Sequence, residues 1–105
     1  MPAYLIVRAQ VPEDELTAFD RWYQDEHLPD AMAAFGASHA ERGWSADDPR
    51  VHIALYTFPN ITTAETVLAS AATANLIAEF DRVWQGRVTR TREVVSVRQS
   101  MGEGR

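Results

Sequence analysis

The sequence predicts an α+β domain of βαββαβ order, with two helical segments packed on a four-stranded antiparallel sheet. Three observations carry that prediction. Apolar residues alternate at a period of two in four segments, they recur at helical spacing in two longer segments between them, and turn-forming residues mark the joints. The composition is that of a globular protein, since 46% of the 105 residues are hydrophobic and 24% are charged. A single domain is expected over residues 1–105, structured from about 3 to 98, with 99–105 a tail.

From Ala3 to Val11 the residues are mostly β-branched or apolar. Tyr4, Ile6 and Arg8 alternate against Leu5, Val7 and Ala9, which suits a central strand covered on both faces. Pro12 follows, with Glu13, Asp14 and Glu15 behind it, a first-turn proline and acids that favour the positive end of a helix dipole. At about 100° per residue, Leu16, Phe19, Tyr23 and His27 share one face, with Asp20 at its edge and Trp22 and Glu26 progressively to one side. Pro29 disfavours a helical Leu28, so the helix should stop or kink just after His27, and a short second segment should run from Asp30 to Phe35.

Gly36 to Trp44 alternates, with Ala37, His39, Glu41 and Gly43 on one side and Ser38, Ala40, Arg42 and Trp44 on the other. Ser45 to Arg50 is turn chemistry, and Val51 to Phe58 reads as the returning strand of a hairpin, with Val51, Ile53 and Leu55 opposed in facing to His52, Ala54 and Tyr56. Thr62 with Glu65 three residues on forms a capping-box pattern that opens the second helix. Leu76, Ile77, Phe80 and Trp84 continue its apolar stripe to near Gly86. The last strand is expected from about Arg87 to Arg98. This is the split-βαβ, ferredoxin-like order.

The net charge of −5 comes from 15 acidic residues against 10 basic ones, and all ten are arginine. That balance argues against nucleic acid as a partner, because Arg87, Arg90, Arg92 and Arg98 are interleaved with threonines, Glu93 and valines rather than forming a basic stripe. The absence of cysteine excludes disulfides, thiolate metal sites and cysteine nucleophiles, and fits a reducing compartment. The N-terminal apolar run is too short for a signal peptide or membrane span, so no membrane association and a cytoplasmic location are expected. A chain of this size gains from covering an open sheet face with a second copy, which makes a homodimer the expected assembly.

The stretch Trp22-Tyr23-Gln24-Asp25-Glu26-His27-Leu28-Pro29, of pattern WYxxEHLP, resembles the EthD-like branch of the dimeric α+β barrel superfamily. Tyr4 to Arg8 and Phe19 stand ahead of it as that pattern wants. Further echoes are Arg42-Gly43-Trp44, Ala54-Leu55-Tyr56-Thr57-Phe58 and Thr91-Arg92-Glu93-Val94, so the resemblance covers roughly residues 3 to 98. It implies ferredoxin-like protomers whose sheets meet face to face with helices outside, and a pocket between sheet and helices. Relatives on this scaffold include cofactor-free monooxygenases, polyketide cyclases, isomerases, dechlorinating enzymes and members of no known activity. The fold therefore does not choose the function.

His27 is the leading candidate for chemistry, since imidazole exchanges a proton near neutral pH and the helix aims it inward beside Tyr23. The competing reading is a structural histidine that hydrogen-bonds a backbone carbonyl where the helix breaks. Asp25, Glu26 and His27 do not make a metal site by themselves, because adjacent helical residues diverge; His39 or His52 would have to converge on them, and no metal is expected. The aromatics Tyr4, Trp22, Tyr23, Trp44, Tyr56, Phe58 and Trp84 serve core and dimer packing, and a subset of them would line a cavity for a flat or hydrophobic ligand. Substrate contacts are expected from Tyr4, Trp22, Trp44 and Tyr56. Arg42 and Arg92 would hold a carboxylate or enolate oxygen, unless they are consumed by ion pairs with Glu41, Glu93 or an acid across the sheet. No glycine-rich phosphate loop, dinucleotide fingerprint or nucleophile elbow is present, so no cofactor is expected. The readings left open are a cofactor-independent enzyme with His27 and Tyr23 as its catalytic groups, a non-catalytic binding or protective protein, and a core whose aromatics serve only dimer formation.

Overall fold

The computed structural model describes residues 1–102. Four strands form where alternation predicts them: β1 (Ala3–Gln10), β2 (His39–Trp44), β3 (Val51–Phe58) and β4 (Thr89–Ser96). They pair in the order β2-β3-β1-β4, every neighbour antiparallel. Leu5 lies opposite Tyr56 and Val94, Val7 opposite Ala54 and Arg92, and Ala9 opposite His52 and Arg90. On β2, Arg42 stands opposite Ala54 and Trp44 opposite His52. Because side chains alternate across a strand, these rows share one face. That face is covered by the helices, and Leu5, His52, Ala54, Tyr56 and Phe58 are buried in it. Tyr4, Ile6, Val51, Ile53, Leu55 and Val95 stand on the other face, half-buried or exposed.

Between the first two strands the chain is helical almost throughout. A 3-10 turn at Glu13–Glu15 leads into α1 (Leu16–Trp22), a π-helical turn at Tyr23–His27 and α2 (Leu28–Phe35). Of the stop or kink expected just after His27, the stop does not occur, and the irregularity is a π-helical turn that ends there and leads straight into α2. Leu28 keeps helical dihedrals at φ −63°, ψ −45°, and its N–H donates to the carbonyl of Tyr23, five residues back. In a regular α-helix the ring of Pro29 would press on the carbonyl four residues earlier. The wider turn relieves that clash, so the proline bulges the helix instead of ending it. The end comes at Gly36, whose φ of 60° suits only a residue without Cβ and whose N–H caps the carbonyl of Met32.

The hairpin turn is built by Ser45, whose Oγ accepts from the N–H groups of Asp47 and Asp48. The second helical segment differs from expectation in two ways. Its cap is Asn60, whose Oδ1 accepts from the Thr63 N–H at 2.8 Å, not Thr62. It is also two helices, α3 (Ile61–Leu68) and α4 (Ala71–Trp84), because the Ser70 hydroxyl accepts from the Thr73 N–H and starts a new N-terminus there. Thr73 Oγ1 donates to the Val67 carbonyl at 2.7 Å and closes the joint.

The core lies between the sheet and these helices, around Phe19, Phe35, Phe58, Phe80 and Trp84. The described chain beyond Ser96 is neither helix nor strand, and the last three residues of the expected tail lie outside the described residues. Among the described residues no helix is long and apolar enough to cross a membrane.

Candidate functional site

Tyr23 and His27 leave the π-helical turn toward the sheet and are buried, with 2% and 5% of their surface exposed. Tyr56 comes up from β3, and its hydroxyl meets that of Tyr23 at 2.8 Å, either oxygen able to donate. The His27 ring stacks on Trp22, with centroids 4.8 Å apart and planes 22° from parallel, and meets Tyr23 and Phe80 edge-on. Beside this group lies a cavity of about 290 Å³. Its walls include Leu5 and Val7 of β1, Phe35 of α2, Leu68, Thr73, Leu76 and Ile77 of the second helical pair, and Arg90, Arg92 and Val94 of β4. Tyr23, His27 and Tyr56 face it directly.

Burial sets the charge states. Desolvation, with the positive charge of Arg90 second, holds the His27 imidazole well below its usual 6.5, at about 4. It is therefore neutral at neutral pH and able to accept a proton. No side chain or backbone group among the described residues hydrogen-bonds it, so the backbone-carbonyl anchor considered for a structural histidine is not formed. Burial pushes the Tyr23 and Tyr56 phenols above their usual value, which keeps them protonated donors. Arg90 stands over the Phe80 ring at 3.6 Å, and its burial lowers its pKa to about 10, still a cation at neutral pH.

A second polar group lies on the β2 side of Tyr23. Asp20 Oδ1 accepts from Arg42 Nη1 and from Trp44 Nε1, both at 2.9 Å. Arg42 Nη1 also lies 3.3 Å from His52 Nε2, and its guanidinium stands 5.6 Å from the centroid of the Tyr23 ring. His52 is 1% exposed and, chiefly through burial, likewise held down to about 4, while the Arg42 and Trp44 hydrogen bonds hold the Asp20 carboxyl below its usual range.

The structure thus brings His27, Tyr23, Tyr56 and Arg92 to one cavity and places the other expected contacts elsewhere. Trp22 backs His27 rather than lining the space. Arg42 and Trp44 are held by Asp20, the acid that α1 supplies across the sheet face. Tyr4 is on the opposite face of the sheet. His39 also points to that opposite face, 3.5 Å from Glu41, and among the described residues no three metal-binding side chains converge. Arg90 was not among the expected contacts. Its signal was available, because it lies two residues from Arg92 on the same strand and so shares its facing.

The sheet order and helix placement define a ferredoxin-like α+β fold, and solved structures share it. Among the solved structures similar to the chain is an EthD family protein from Bacillus halodurans, at 15% identity and a TM-score of 0.69, covering 89% of this chain and 97% of that one. Another is a mutant of SnoaB, a cofactor-independent oxygenase from Streptomyces nogalater, at 12% identity and a TM-score of 0.71, covering 97% and 98%. A third, classed by name with the antibiotic biosynthesis monooxygenases, comes from Nitrosomonas europaea, at 19% identity and a TM-score of 0.65, covering 96% and 94%. No family model matches the chain, and no curated protein does.

Proposed function

We propose that the chain handles a small hydrophobic, oxygenated or aromatic molecule in this cavity without a tightly bound cofactor, using His27 as acid and base and the Tyr23–Tyr56 phenols to orient an oxygen. The observation that carries the reading is the imidazole itself, which is neutral, unbonded and turned to an apolar-walled space beside two phenols. A base of that kind removes a proton from an acidic C–H or O–H, and phenol donors steady the oxygen on which negative charge then collects. Oxidation, cyclisation and isomerisation of an enolisable or phenolic compound all begin with that step. The name of SnoaB, a cofactor-independent oxygenase of the same fold, supports the first of these. The same proposal takes the chain as one cytoplasmic domain acting as a homodimer, with the apolar outer face of the sheet, including Ile6, Ile53 and Leu55, covered by a second copy.

The test is turnover of enolisable and phenolic aromatic compounds by wild type and His27→Gln, with circular dichroism as the check on folding. A fall of about 10²–10⁴-fold in the variant supports the acid–base role, and unchanged turnover overturns it. Light scattering that gives a monomer mass at micromolar concentration would overturn the dimer.

A non-catalytic alternative draws on one observation. Tyr23 and Tyr56 already satisfy each other, so an occupant need only pack against them and take one hydrogen bond from His27. Recovery of the ligand unchanged after long incubation would select this reading.

A further inference from the structure

Arg90 faces the cavity from β4. Its side chain is 11% exposed, and among the described residues its one ion pair is with Asp81, a half-exposed acid at 3.5 Å. Burying a guanidinium that deeply is costly unless it is paired, and a pair at that distance compensates weakly. Arg92, two residues on, turns to the same cavity and forms no ion pair among the described residues. The nearest acid along the strand, Glu93, also borders the cavity, and its carboxylate is taken by Arg8 at 2.6 Å. With Glu93 already paired to Arg8, the cavity of a chain of net charge −5 is left with two cations, Arg90 and Arg92, on its β4 wall.

Resting on the function proposed above, we infer that the ligand is an anion: a small aromatic oxyanion, carboxylate or acidic enol, whose charged oxygen sits on Arg90 with Arg92 beside it and whose ring lies against Leu5, Leu76 and Tyr56. A guanidinium fixed over a ring presents its edge N–H groups as paired donors to such an oxygen, and a charge as buried as that of Arg90 counts for more than one in water. For the chemistry at His27 the consequence is direct. Negative charge that develops on the substrate after proton removal is met by fixed cations on the strand side and by phenols on the helix side.

Benzoate and its neutral isostere benzamide are the probes, titrated into the full-length protein and followed by heteronuclear NMR. Benzoate is expected to bind at least ten times more tightly than benzamide, with shifts centred on Tyr23, Tyr56 and Val94. Arg90→Gln should lose at least ten-fold in benzoate affinity and leave benzamide within about two-fold, Arg90→Lys should recover part of the loss, and added salt should weaken benzoate alone. If Arg90→Gln does not fold, Arg92→Gln and the wild-type preference between the two probes decide. Equal binding of both probes at these residues would overturn the anion inference and leave the cavity reading standing. Absence of shifts at the cavity with either probe would overturn both.

Discussion

Trp22 lies flat against His27 although five residues separate them. In an α-helix five residues turn about 140° past a full circle, so the two rings would diverge. The π-helical turn at Tyr23–His27 removes that divergence and makes the indole the backing of the imidazole. Replacing Trp22 by alanine should let water reach His27 and raise its pKa from about 4 toward 6.5, read by NMR titration. An unmoved pKa would mean that Phe80 and Tyr23 suffice to keep it dry. The stability cost of the same change is expected at about 3 kcal/mol.

Acid should weaken the fold before its carboxylates titrate. His27 and His52 take up protons near pH 4 in the folded state and near 6.5 once unfolded, so between those values the unfolded chain binds more protons. Stability is therefore complete above about pH 6.5 and declines as pH falls toward 4, by on the order of 3 kcal/mol for each histidine. Urea midpoints taken from neutral pH downward should fall through that window, and His52→Gln should flatten the slope. A flat profile in wild type would contradict it.

The Tyr23–Tyr56 contact should show as coupling rather than as two independent losses. Tyr23→Phe or Tyr56→Phe alone strands one buried hydroxyl, a cost of about 1–2 kcal/mol, while the double variant strands none. Denaturant unfolding of the three variants is expected to give a double loss clearly smaller than the sum of the singles. Strict additivity would mean that water replaces each missing partner.

Asp20 carries a large share of the order around β2, since one carboxylate oxygen holds both Arg42 and Trp44. Asp20→Ala leaves the largely buried Arg42 guanidinium facing His52 without its counter-charge, and a loss of about 1–3 kcal/mol is expected. Tryptophan fluorescence should report release of the Trp44 indole in the same variant. An unchanged spectrum and midpoint would show that the Arg42 backbone ladder alone fixes this edge.

Periodicity made the sheet and its side-chain groupings legible, because a half-covered strand leaves a period-two record: Arg42 with Trp44, and His52 with Tyr56, share a side as grouped, while which side of the hairpin turns to the helices was not readable. The inward face of Leu16, Phe19, Tyr23 and His27 was legible from the helical period instead. The π-helical turn was not, since Pro29 signals strain without saying whether the helix ends or widens to absorb it. The break at Ser70 was hidden by helix-forming alanines on both sides, with only the serine and its partner Thr73 to mark it. At the site, sequence named His27, Tyr23, Tyr56 and Arg92. It could not show that Arg42 and Trp44 are committed to Asp20, because that acid comes from another element, more than twenty residues away.

Strand β4 is an edge strand, and four of its residues, Arg90, Arg92, Glu93 and Val94, border the cavity. Replacements at 92 and 94 would alter what the cavity accepts while leaving Phe19, Phe58 and Trp84 in place. Variation among natural descendants, or a designed library, could therefore exchange one guest molecule for another along a single strand, with little of the remaining chain called on to adjust.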